Sequence, residues 1–458
     1  MAFPIHFNPE NGWFGDPMPM WHEGVWHLYY TKSVPGKAAP WGHVSTTDFR
    51  DFTEHPDPFP DGGPGTPIST GCIVYGEGTF HAFFTGTDEE RRPFMYHTVS
   101  EDGIYFPPAT DIIFRWDPDL YQDDSWRDPA VVFDPEAKLW RMFFCGKGAE
   151  INGDCFDGGV GCASSPDLYH WTLEKPLAIH GIGRFLECPD VFFEKDWNLI
   201  YYWHETRFRH SESLDGEWKR YPVLSPDRFN FMAARQAFDG VRRILVGWIQ
   251  RKSENGELIW GGSMLIPREL RIGEKGPETR FIRELCGMFP NKIPYTLKTT
   301  DNRWETEGDR LRCECPTGGS MLKFSDLPER YLIRFGLSLT GESSNFSLIV
   351  GATAVWCNDI EKGYQIIFDI PDRMIRVRRH YLWDQRGDID SIPFEPEAVN
   401  EVTLVYDAAA PGGAILEMEL NGKLTLTSRL TEGCAGALAL TMQDGTAELT
   451  GFGIFGEE

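Results

Sequence analysis

Asp16, Asp128 and Glu187 stand at equivalent places in the sequence, each at the entrance of the first strand of a repeated unit, in GDPMPMWHEGVWHLYYT, RDPAVVFDPEAKLWRMFFCG and ECPDVFFEKDWNLIYYWHE. Two other copies of the unit hold Ser69-Thr70 and Arg235-Gln236 at the corresponding places, polar but not acidic. Like charges brought close together disfavour ionisation, so three acids in one pocket are costly unless a ligand or an arginine compensates, and such a cost marks a functional site. Carboxylates facing each other in an uncharged, aromatic-lined pocket are what glycoside hydrolysis needs. One acts as general acid on the leaving oxygen and the other as nucleophile or base. Arg235 and Gln236, at the axial place of the fifth unit, are expected to contact the same substrate.

The elements that must position these groups form the repeat itself. A strand, a tight turn and a second strand recur five times at intervals of about 47 to 60 residues, beginning near Gly15, Ile68, Arg127, Glu187 and Ala234. The turns carry Gly24, Gly78, Glu136-Ala137, Asp196-Trp197 and Asp239-Gly240, flanked by β-branched and aromatic residues. A third strand follows, and four times it runs into a Ser, an Asp and an aromatic residue, in HVSTTDFRDF, TVSEDGIYF, CASSPDLYHW and SESLDGEW. Asp48, Asp102, Asp167 and Asp215 are therefore expected to cap turns before a fourth, outer strand. The fifth copy, WGGSMLIPRELRI, departs from the pattern. The chain is expected to be all-β: a five-bladed β-propeller over residues 1–293, with the first strand of each blade lining the axis. From about Lys292, alternating strands and the hairpin signals Asn421-Gly422 and Asp444-Gly445 predict a C-terminal antiparallel β-sandwich over residues 294–458, with a structural role.

Composition narrows the partner. The 458 residues carry 44 Lys+Arg against 69 Asp+Glu, a net charge of −25 that argues against nucleic acid and anionic membranes. No apolar run is long enough to span a bilayer, and MAFPIHFNPE has no secretory pattern, so a cytoplasmic protein is expected. The ten cysteines have no zinc spacing and read as free thiols; no metal and no cofactor are expected, and DPDLYQDD reads as a solvated acidic loop rather than a calcium site. Thirteen of 16 Trp and 11 of 12 His precede residue 294, so the aromatic-rich part could present flat faces to sugar rings. A small neutral oligosaccharide or glycoside is the expected partner, and no oligomeric state is indicated. His43 reads as a hydrogen-bonded structural residue, Cys188 as a small buried side chain on the face opposite Glu187, and Trp203, His204 and Glu205 as packing.

HFNPENGWFGDPMPMWHEGVWHLYY, WRDPA and LECPD resemble, in order, the WMNDPNG, RDP and EC motifs of glycoside hydrolase family 32, the invertase, levanase and inulinase family. WGHVSTTDFRDF, FMAARQAFDGVRRILVGW and WGGSMLIPREL resemble further segments of it, and the similarity covers about residues 5 to 275. The resemblance implies that Asp16 is the nucleophile, Glu187 the acid/base and Asp128 the stabiliser of the oxocarbenium-like transition state, with Arg127 on the same ring hydroxyls. It implies retention of configuration through a covalent glycosyl-enzyme, with the two reacting carboxyl groups roughly 5 to 5.5 Å apart and Glu187 protonated near neutral pH. Trp13 and Trp41 match aromatic residues expected to stack on sugar. The departures are Gly15 for the family's Asn, Met18-Pro19 for Asn-Gly, Thr31 for Gln, and Ile68-Ser69-Thr70-Gly71 for its FSGS-like stretch, where Ser69 falls at a substrate contact. The expected activity is release of a terminal furanosyl residue, β-fructofuranosyl first, with a preference other than sucrose or plain inulin. Glycosyl transfer, arabinofuranoside cleavage and sugar binding without turnover are the alternatives.

Overall fold

The computed structural model describes residues 5–457 apart from 37–39, 61–68, 88–89, 91, 110, 123–125, 149–158, 180–185, 195–196, 203–206, 222–226, 228–229, 254, 300, 343, 355–359, 382–387 and 431–435. Trp203, His204 and Glu205, the turn residue Asp196, Ile68, the end of the acidic loop at Asp123 and Asp124, and Cys155, Cys357 and Cys434 lie outside the described residues. Backbone contacts divide the chain into two units, Met1–Gln250 with Ile259–Glu278, and Arg251–Leu258 with Thr279–Glu458. No helix among the described residues is long and apolar enough to cross a membrane.

The first unit is a five-bladed β-propeller. Blade one runs Trp13–His22, Val25–Ser33, Trp41–Thr46 and Thr53–His55, blade two Cys72–Gly76, Thr79–Thr87, Pro93–Ser100 and Asp111–Arg115, and blade three Arg127–Asp134, Leu139–Cys145, Gly159–Ser165 and Thr172–Ala178. Blade four is Asp190–Glu194, Trp197–Tyr202, Arg207–Ser211 and Lys219–Arg220. Inner strands of blades one to four pack on one another in turn, and that of blade five, Met232–Phe238, touches Trp197–Tyr202 of blade four and packs back on blade one to close the ring. Pro267, without an N–H, divides the aberrant fifth copy into two strands. Leu258–Met264 crosses to blade one through Phe14 and Gly262, while Arg268–Gly273 takes the place beside Arg243–Lys252.

The turns form as their residues dictate. Glu23 and Gly24 (φ 46° and 87°), like Glu77 and Gly78 (φ 50° and 83°), supply the paired positive φ of two-residue hairpins whose twist matches the strands. Asp48, Asp102 and Asp167 each accept two backbone N–H bonds from the residues that follow, as expected of capping aspartates. Blade four turns differently, through Ser213 N–H on Ser211 Oγ and Gly216 N–H on Ser213 O. Much of the aromatic excess forms wedges: Tyr29, Trp41, Phe59, Phe84 and Phe106 fill one buried cluster, and Phe83, Trp126 and Phe144 another. Because a propeller's blades splay outward, large flat side chains are what fill the space between them.

The second unit is an antiparallel β-sandwich around Leu322, Phe324, Phe346, Phe368, Leu404, Leu440 and their neighbours. Asn421 and Gly422 (φ 55° and 60°) make the expected hairpin between Ile415–Leu420 and Leu424–Arg429. The expected hairpin at Asp444-Gly445 is corrected: both residues lie inside one 21-residue strand, Gly436–Gly456. There Asp444 (φ 54°) bends the strand as its partner changes from Arg330–Thr340 to Asn345–Ala354. The same positive φ that closes a hairpin also lets one strand bend between two sheets.

Candidate active site

The five inner strands share a seven-residue frame that ends on an aromatic residue beside each hairpin turn: Gly15–Trp21, Ser69–Tyr75, Arg127–Phe133, Glu187–Phe193 and Met232–Phe238. In this frame Asp16, Thr70, Asp128, Cys188 and Ala233 are equivalent, and Glu187 is equivalent to Arg127. The expected register is therefore corrected by one residue in blade four and by three in blade five. The backbone supports this, because Asp128, Cys188 and Ala233 all have positive φ (58°, 48° and 44°) where their strands begin. Asp128 and Cys188 each precede a proline, a place where extended backbone is preferred, so both hold strain that the surrounding fold imposes. Cys188 precedes its strand rather than lying in it, and strand alternation does not govern where it points; it is buried, with its N–H on Asp128 Oδ2 at 3.1 Å.

The frame sets Arg127 and Glu187 side by side, and Arg127 Nη2 donates to Glu187 Oε1 at 2.7 Å, with its Nε 3.7 Å from Asp128 Oδ2. The half-buried Asp16 accepts one bond on each oxygen, from Trp248 Nε1 at 3.0 Å and Thr70 Oγ1 at 2.8 Å. Burial pushes its pKa above the ordinary carboxylate value; these two donors and the Arg235 charge oppose the shift, and the Glu187 charge adds to it. Asp128 is 5 % exposed, and burial, reinforced by the Asp16 charge, pushes its carboxyl up to about 6 against Arg235, Arg127 and the Cys188 N–H. Burial, with Asp128 and Asp16 nearby, also holds the Cys188 thiol well above its usual value, which keeps it in the thiol form. The three acids thus share one electrostatic site with two guanidinium charges, Arg127 paired with Glu187 and the buried Arg235. Among the described residues no group of three or more His, Cys, Asp or Glu is placed to hold a metal ion.

Other expected contacts fall elsewhere. Trp41 is corrected to a core residue: it is 1 % exposed, its edges lie on Phe59 and Phe84, and its Nε1 donates to Ser69 O, leaving no face for a sugar. Arg235 is buried and donates to the carbonyls of Gly71, Pro129 and Asp128, so it ties blade five to blades two and three instead of reaching substrate. Gln236 gives its N–H to Asp190 Oδ2 at 2.7 Å and accepts from Arg243. Both lie three residues further along their strand than the expected register implied. Trp13 is half-buried at the strand entry, and Ser69, in line with Gly15 and Arg127 in the frame, is half-buried with its hydroxyl buried. His43 is structural, stacked on Tyr29 and hydrogen-bonded to His27.

Trp248 and Trp260 escaped the sequence reading because both reach blade one from the end of blade five. Trp260, 39 % exposed, packs edge to face with Trp248, and its ring carbons lie 2.7 and 2.8 Å from where a Cβ on Gly15 would stand. The missing side chain at position 15 is thus replaced by an indole. Thr31, another altered position, is buried on the same side, its Oγ1 2.7 Å from that Cβ place.

The description "Glycosyl hydrolases family 32 N-terminal domain" fits residues 6–281. The chain is 26% identical to an invertase of Wickerhamomyces anomalus over 41% of this chain and 36% of that protein. It is 24% identical to a sucrose-6-phosphate hydrolase of Vibrio alginolyticus over 65% of this chain and 68% of the other. It spans about a third to a half of the length of the first curated relatives it matches. Among solved structures, a Bombyx mori GH32 β-fructofuranosidase superposes with a TM-score of 0.72 at 16% identity, covering 100% of this chain and 93% of that one. A fructan 1-exohydrolase IIa of Cichorium intybus superposes with a TM-score of 0.68 at 15% identity, covering 98% and 96%.

Proposed function

The chain belongs to glycoside hydrolase family 32, and from that membership we propose that it is a retaining exo-hydrolase that removes a terminal β-fructofuranosyl residue from a short oligosaccharide or glycoside. The observation that carries this reading is the Asp16 carboxylate. It is fixed by two donors on rigid elements and coupled electrostatically to Asp128 and to Glu187, the latter held by the Arg127 guanidinium. Asp16 attacks the anomeric carbon as Glu187 gives its proton to the departing oxygen; the Asp16–carbon bond forms and the glycosidic bond breaks. Glu187 then takes a proton from water, whose oxygen displaces Asp16 and regenerates the carboxylate. Asp128, charged and desolvated, opposes the positive charge that develops on the ring, and Arg127 holds Glu187 in place between steps. The gap at Gly15, filled by Trp260, supports a substrate other than sucrose. A cytoplasmic setting belongs to the same proposal and is supported by the buried thiols of Cys72, Cys145, Cys162 and Cys188.

The test is sugar release from sucrose, inulin- and levan-type oligosaccharides, difructose anhydrides, and aryl β-fructofuranosides and arabinofuranosides, with product anomers followed by NMR. Fructose released first as the β anomer is expected, with activity abolished in Asp16→Asn. Glu187→Gln is expected to lose about 10²- to 10⁴-fold on saccharides and much less on aryl glycosides, whose leaving groups need no proton. Release of arabinose alone, inversion, or full activity in Asp16→Asn would overturn the reading, and rapid sucrose hydrolysis would refute the altered preference.

A further inference from the structure

Beyond the carboxylates, the propeller axis opens into a cavity of about 390 Å³ lined by the fourth to seventh residues of the same seven-residue frame. Its rim is the seventh position of every blade: Trp21, Tyr75, Phe133, Phe193 and Phe238. These five segments otherwise share little, yet each ends on an aromatic side chain. Packing alone does not account for them, since Tyr75, Phe133 and Phe238 are 40%, 45% and 50% exposed while the wedge aromatics between blades are almost wholly buried. Behind the rim lies a polar floor. Asp190 accepts from the Gln236 backbone and side chain, Arg243 bridges Gln236 Oε1 and Glu194 Oε1, and Arg235 is bound to main-chain carbonyls. Two arginines face two carboxylates, so the floor offers hydrogen-bonding edges without surplus charge.

Flat apolar walls over a neutral, hydrogen-bonding floor match a molecule with an apolar C–H face and a hydroxylated edge. A cavity of this volume admits a small ligand and no folded partner. We propose that the axial cavity is a second, non-catalytic site that binds a neutral saccharide, separate from the Asp16 site and independent of what that site cleaves.

The test is calorimetric titration of the full chain carrying Asp16→Asn, so that probes survive, with sucrose, 1-kestose, maltotriose and cellotriose. At least one probe is expected to show a binding event that Phe133→Ala with Phe238→Ala weakens about tenfold or more, as loss of an aromatic contact face does at binding hot spots. Phe133→Leu with Phe238→Leu keeps apolar bulk without the flat face. It is expected to weaken the same event at an unchanged melting temperature, and it decides the matter if the alanine variant does not fold. With Asp16 intact, both variants are expected to retain kcat. Isotherms that are the same with and without the two phenylalanines, or no binding beyond an event that Trp260→Ala alters, would overturn the proposal.

Discussion

Asp128 combines a left-handed backbone before Pro129, a buried carboxyl and a neighbouring acid, so it destabilises the fold it sits in. Its folded pKa, about 6, lies above the ordinary 3.8, so the folded chain binds more protons than the unfolded one between those values. Its cost is therefore full at neutral pH and is relieved as pH falls through about 6. Asp128→Asn is expected to raise stability at pH 7 by on the order of 2 to 3 kcal/mol, a gain that vanishes near pH 4, while abolishing most activity. Urea unfolding at both pH values checks it, and an unchanged or lower midpoint at pH 7 would refute the burial argument. Gly15 gives a second residue-level test. Gly15→Ala drives a Cβ into Thr31 and Trp260 and should cost about 1 to 3 kcal/mol, and Trp260→Ala in the same chain should recover part of it. Additive losses in the double variant would show that the indole does not occupy the notch.

Blades one and two repeat a paired-histidine device on their second and third strands. His27 Nδ1 meets His43 Nε2 at 3.0 Å, and His81 Nδ1 meets His97 Nε2 at 2.9 Å, with His43 stacked on Tyr29 and His97 on Phe83. Burial holds these rings neutral. His27 is lowered to about 4, with His55 and His22 contributing, and His97 to about 4, with His81 contributing against Asp111. The unfolded chain takes up protons near pH 6.5 and the folded one only near 4, so this contribution to stability is present above about 6.5 and is lost as pH falls towards 4. The sign is opposite to that of Asp128. Melting temperature is expected to fall across that window, and His81→Gln with His97→Gln should flatten the slope. An unaltered slope in the double variant would exclude the pair as its source.

At the scale of the whole propeller, closure rests on contacts far apart in sequence. Arg235 satisfies carbonyls of Gly71, Pro129 and Asp128, and Phe14 pairs with Gly262. Replacing Arg235 with Met strands three carbonyls beside the Asp16 site, at about 1 to 3 kcal/mol for each buried group left unpaired. The variant is expected to lose several kcal/mol in urea unfolding and to lose turnover with it; near-wild-type stability would show that water takes the place of the guanidinium.

The repeat, the five-bladed plan and the sandwich were legible in the sequence, because alternation, turn chemistry and spacing are local properties of the chain, and the same repeat pointed to Asp16, Asp128 and Glu187 as one cluster, though with Glu187 one place out of register. Tertiary structure decided the rest. A positive φ at a strand entrance shifts which side chain faces the axis by one place, and this put Glu187 in line with Arg127 and Cys188 in line with the aspartates. Burial turned Trp41 from a sugar face into a wedge and Arg235 from a substrate contact into a support, and hydrogen bonds to Asp190 and Arg243 did the same for Gln236. Trp248 and Trp260 joined the site only because the ring closes, bringing together side chains more than two hundred residues apart in the chain, a distance over which no local pattern carries information.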